Sequence, residues 1–131
     1  MRSITGIACV LLLAAALEAR AASEDQGRLR CGALVRQLVV SPVSFREVSA
    51  RIKPTASPGL FDIDLRFDSA NQFNAVVRNN AVCKFSNESE LPYMIEFEKE
   101  TLGLRQIEAL WQLHTEEMTG RLRALRPPRG P

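Results

Sequence analysis

LFDIDLRFDSANQFNAVVRNNAVCKF, from Leu60 to Phe85, decides the fold of this chain. Phe61, Ile63, Leu65 and Phe67 alternate with Asp62, Asp64, Arg66 and Asp68. A period of two puts the apolar set on one face of a strand and the charged set on the other. One wet face and one dry face is the antiparallel pattern. The turn-rich SANQFN follows, and then AVVRNNAVCKF, a second strand. Ala75, Val77, Asn79, Ala81, Cys83 and Phe85 share one of its faces; Arg78, Asn80 and Lys84 share the other. Asn79-Asn80 also suits a tight turn or bulge that would split this run, because Asn tolerates left-handed backbone.

Upstream, Glu24 to Val39 reads as a helix. Cys31, Leu34, Val35 and Leu38 stand at i, i+3, i+4 and i+7, one apolar stripe. Ser23 or Asp25 can cap its start, and Ser41-Pro42 ends it, because the residue before proline avoids helical angles. SFREVSARI is ambiguous between helix and irregular strand, and KPTASPG is a loop by its Pro, Ser and Gly content.

Downstream, NESELP is a loop, and its Asn87-Glu88-Ser89 fits a glycosylation acceptor in a eukaryotic host. Residues 97–125 read as one long helix with a weak point at Gly103. Leu104, Ile107, Trp111, His114, Met118, Leu122 and Leu125 form its apolar stripe, widened by Leu110 and Leu113. The expected fold is α+β: an N-terminal helix on a small antiparallel sheet built around the 60–86 hairpin, then a long C-terminal amphipathic helix.

The N-terminus reads as an export signal over 1–21. Arg2 is the basic start, Ile4 to Leu17 the apolar run, and Ala19-Arg20-Ala21 the small-x-small cleavage pattern. The run is shorter than the ~20 residues of a membrane span. Cys9 leaves with it. About 110 residues remain, enough for one core: a module over 22–96, the helix over 97–125, and a disordered tail over 126–131. Cys31 and Cys83 then form an even pair in a compartment where disulfides persist. Closing a loop of about 50 residues is worth roughly 3–4 kcal/mol in the chain-entropy account.

Several unlike residues recur in a recognisable order: Cys31, Leu38, Pro42, Phe45, then Asn71, Phe73, Val77, Arg78 and Cys83 within DSANQFNAVVRNNAVCKF. This order resembles a family of small bacterial exported or lipoprotein domains, over Arg30 to Ser86. The resemblance implies a compact α+β module and supports pairing Cys31 with Cys83. It implies no activity. Asn74 stands where the family pattern has glycine, at some cost if the turn needs positive φ.

Chemistry-bearing residues are sparse. Asp62, Asp64 and Asp68 share a wet strand face without the glycine turn and bidentate acid of a calcium loop. One histidine and two distant cysteines make no zinc site. His114 reads as a core-edge residue, and Glu116 and Glu117 point in different directions on a helix. Phosphate loops and nucleophile elbows are absent from the sequence. No cofactor and no metal are expected, and no enzymatic role.

The strongest cluster is Asn71, Phe73, Arg78 and Asn79. Its structural reading has Asn71 bonding its own turn, Phe73 filling the core beside the disulfide, and Arg78 bonding a carbonyl or Asp68. Its functional reading makes Arg78, Asn71, Asn79 and Asn80, with Trp111 on the long helix, partner-binding residues. A net charge of +2 and export oppose nucleic acid. The expectation is a periplasmic or secreted protein acting by protein–protein contact, as an accessory or immunity/inhibitor-type protein. Its partner is another envelope or secreted protein, or a second copy through the C-terminal helix, with no membrane after signal cleavage. The alternative is a small-molecule or ion-binding module that uses the polar hairpin face.

Overall fold

The computed structural model describes residues 24–127. The export segment read over 1–21 lies outside them, as do residues 128–131 of the tail. Helix α1 (24–38) comes first, then a 3-10 turn (Pro42–Ser44). Five strands follow: β1 (Arg46–Pro54), β2 (Leu60–Ala70), β3 (Val76–Ser86), β4 (Met94–Phe97) and β5 (Glu100–Leu102). Helix α2 (Leu104–Ala124) ends the fold. Each strand pairs antiparallel with the next in chain order. The architecture is α+β.

One face of the sheet is dry. Phe61, Ile63, Leu65 and Phe67 of β2 lie beside Ala81, Cys83 and Phe85 of β3 and Ile95 of β4. Cys31, Leu34 and Val35 of α1 close over them, each with no exposed surface. Burying side chains of this size stabilises by about 1.5–3 kcal/mol each. Phe61 is paired with Phe85 across the ladder, and the rings stack at 5.3 Å. Gly27 permits the close approach of α1, since a Cβ there would stand 3.3 Å from Ile63 Cδ1. The Cys31–Cys83 disulfide ties α1 to the middle strand, with Cα atoms 5.9 Å apart.

β1 explains why SFREVSARI was ambiguous. The register shifts between Glu47 and Ser49, leaving Val48 as a bulge. A bulge sets two residues against one and resets the alternation. Ala50 and Ile52 therefore pack inward beyond it, while Glu47 on the inner side meets Arg28 of α1 at 3.1 Å. β3 is one unbroken strand through Asn79 and Asn80, with neither turn nor bulge.

The long helix begins at Leu104, not at Phe97. The β4–β5 hairpin occupies the stretch before it, so the sheet module runs through Leu102 rather than ending at 96. Phe97 pairs with Glu100, leaving a two-residue turn in which Glu98 takes φ 56°. Such turns need positive φ in their first central position. Gly103 then caps α2, its N–H donating to Gln106 Oε1 at 2.9 Å. Only the first half of α2 joins the core: Ile107 is fully buried, and Leu110 and Trp111 pack against it. Gln37 Nε2 donates to Glu117 Oε2 at 2.9 Å and anchors the middle of α2 to α1. Beyond Glu117, Met118, Leu122 and Leu125 are exposed. Among the described residues no helix is long and apolar enough to cross a membrane.

Candidate functional site

α1 covers the sheet only part of the way along the β2–β3 hairpin. Past the end of α1 the hairpin carries its turn: Ser69 and Ala70 are still buried, and residues 72–78 are exposed. Asn71 builds that turn. Its Oδ1 accepts from the N–H groups of Phe73 at 2.9 Å and Ala75 at 3.0 Å. Its own N–H donates to the Ala75 carbonyl, and its carbonyl accepts from Asn74 N–H, both at 2.9 Å. Asn74 takes φ 61°, the left-handed geometry that Asn accepts more readily than most residues. Side-chain bonds of this kind substitute for a regular ladder and fix the loop shape.

The loop holds Phe73 in solvent. Phe73 is 79% exposed, so it does not fill the core beside the disulfide. The core there is already complete with Phe61 on Phe85. Val76 beside it is 74% exposed, and Val40 before the 3-10 turn and Val43 within it are exposed too. That turn is fastened to the same end of the hairpin by Ser44. Its hydroxyl donates to the Ser41 carbonyl at 2.6 Å and accepts from Ala70 N–H at 2.7 Å.

Beside the loop lies a cleft of about 400 Å³. Leu38, Val39 and Val40 at the end of α1 form one wall, and Phe97 and Glu98 of the β4–β5 hairpin form the other. Ser69, Val77 and Asn79 lie on its floor. Pockets that hold ligands share this mixture of apolar walls and a few converging polar groups.

No family model, curated protein or solved structure matches this chain. The site therefore rests on its own geometry.

The five residues singled out from sequence converge only in part: Arg78, Asn79 and Asn80 border one shallow hollow, and Asn71 and Trp111 lie away from it. Asn71 and Asn79 border the cleft. Arg78 and Asn80 belong to the opposite face of β3, where they border that hollow with Asp64 and Arg66. Arg78 is engaged there: Nε reaches Asp68 Oδ1 at 2.9 Å and Nη2 reaches Oδ2 at 3.1 Å, a two-pronged pair across the ladder. That hydrogen bonding, reinforced by charge, holds the Asp68 carboxyl below its ordinary pKa and raises that of Arg78. Trp111 sits on α2 against the core edge, its ring 5.2 Å from that of His114.

Val40, Phe97 and Glu98 went unnoticed in the sequence, as did the exposure of Phe73. Alternation tells which face a residue occupies; it does not tell where a helix stops covering that face. Chemically this end offers apolar surface, carboxamides, a hydroxyl and one carboxylate, which are groups for recognition. The two described cysteines are joined and fully buried, which removes both as nucleophiles. Among the described residues no group of three or more His, Cys, Asp or Glu side chains is set to hold a metal ion.

Proposed function

We propose that this is a small exported protein, without enzymatic activity, that acts by protein–protein contact in the periplasm or outside the cell, in the manner of an accessory or inhibitor-type protein. Its contact surface is the free end of the β2–β3 hairpin, and its partner is a protein that offers an apolar pocket to Phe73. One observation carries this reading: an aromatic residue is held 79% exposed by a loop whose backbone is bonded into a single shape. Apolar anchors on preorganised loops contribute most of the affinity at interfaces, because little ordering remains to be done on binding. The buried disulfide and the export-like N-terminus support the compartment.

The test places a photo-crosslinking phenylalanine analogue at position 73 and irradiates the protein in envelope or secreted extract. The expected result is one adduct that unlabelled wild-type protein competes away and Phe73→Ala does not. An adduct pattern on which both competitors act equally would sink the proposal.

A second reading is self-association through α2. Exposed Met118, Leu122 and Leu125 continue the apolar stripe past the last contact with the body. Glu108 and Glu116 precede Arg123 and Arg126 along the chain, so an antiparallel second copy would set acid against base. Concentration-dependent sedimentation that Leu122→Glu abolishes would favour it.

A further inference from the structure

We infer that the cleft beside the hairpin end is a binding site for a cationic amphipathic side chain, an arginine of the partner, of which butylguanidinium is the minimal mimic. It deepens the contact reading above only in naming what the partner would insert; the cleft itself is argued from its own lining.

Leu38, Val39, Val40, Val77 and Phe97 supply apolar walls for an alkyl stem. Long basic side chains bury their stems along such surfaces and keep the charged head at the rim. At this rim stands Glu98, and among the described residues no cation lies within salt-bridge distance of it. Asn79 on the floor adds a carboxamide oxygen that accepts from N–H donors.

Glu98 is also held in left-handed backbone, φ 56°, in a turn where Gly or Asn would sit with less strain. Left-handed geometry in a residue other than Gly or Asn is uncommon, and such strain concentrates at ligand sites. The turn explains why φ is positive; it does not explain a glutamate there. Its place on the lining of the cleft gives a carboxylate there a use.

Butylguanidinium and its uncharged isostere butylurea are the probes, titrated into the full chain and followed by amide NMR shifts. The expected result is binding of butylguanidinium with shifts centred on Ser69, Val77, Asn79, Phe97 and Glu98, and about fivefold weaker binding of butylurea. Glu98→Asn suits the turn and removes the charge, so it should bring butylguanidinium down to the butylurea level. The difference between the probes should shrink with added salt. Equal binding of the two probes by the wild type would overturn the proposal, as would shifts centred on Asp62 and Asp64 of the opposite face. Neither probe depends on Phe73 or on any protein partner, so failure here leaves the crosslinking result to stand or fall alone.

Discussion

At one end of the β2–β3 hairpin, Phe61 stacks on Phe85 under α1 and Cys83 is bonded to Cys31. At the other end, the same two strands carry Val77 and Asn79 on the same face, lining the cleft where α1 ends, and the turn presents Phe73 to water. The ladder is continuous from Leu60↔Ser86 to Ala70↔Val76, so backbone pairing does not distinguish the ends. What differs is the reach of α1, which stops at 38 because Pro42 lies ahead. Apolar residues at the covered end are explained by burial. Phe73 and Val76 at the open end bury little on folding, and their presence is the physical ground for assigning them to a contact with something else.

The largest effect expected belongs to the covered end. Removing the disulfide as Cys31→Ala with Cys83→Ala frees a separation of 52 residues, and the chain-entropy relation gives a loss of about 4 kcal/mol. Urea unfolding of the double variant measures it. A loss below about 1 kcal/mol would mean that packing alone holds α1 on the sheet, and the staple would no longer mark the difference between the ends.

Next comes a direct contrast of two truncations. Leu34→Ala empties a fully buried site under α1 and should cost about 3 kcal/mol. Phe73→Ala removes a larger side chain from solvent and should change stability by no more than about 0.5 kcal/mol. Thermal and urea unfolding of both variants test the pair. A cost for Phe73→Ala as large as that of Leu34→Ala would show the ring to be packed, and the open end would lose its claim as a contact surface.

How much of this contrast was legible in the sequence follows from the same physics. The α1 stripe and the period-two pattern of β2 are signals that a long element repeats several times, and both elements lie where those signals placed them. The Cys31–Cys83 bridge was legible as the even pair of cysteines outside the export-like segment. β1 was not, because the bulge at Val48 breaks the alternation midway. β4 and β5 were missed because strands of four and three residues repeat no pattern. The helix stripe read backwards through them to Phe97. Of the site, the role of Asn71 as turn-builder and the Arg78–Asp68 pair were readable from residue type and spacing. The cleft was not, since its walls come from α1 and the β4–β5 hairpin, far apart in the chain.

The smallest effect expected concerns the outer face of the open end, where no core holds the strands and an ion pair crosses the ladder instead. Hydrogen bonding from Arg78 lowers the pKa of Asp68, its positive charge adds to the lowering, and partial desolvation opposes it. A carboxyl whose folded pKa lies below its unfolded value contributes stability that is complete above the unfolded value, about 3.9 for Asp. That contribution is lost as pH falls through the lower, folded value. Asp68→Asn should therefore be slightly less stable than the wild type at pH 7, and the two should converge in acid once pH has fallen through that folded value. The side chains are largely exposed, and pairs of that kind contribute little. Carboxyl-carbon NMR titration of Asp68 gives the shift, and urea unfolding at pH 7 and in acid gives the gap. A gap that persists in acid would mean that Asp68 supports the open end by something other than its charge. A gap that closes on addition of salt at pH 7 would confirm that this end is held by screened electrostatics, whereas the covered end is held by a core that salt does not weaken.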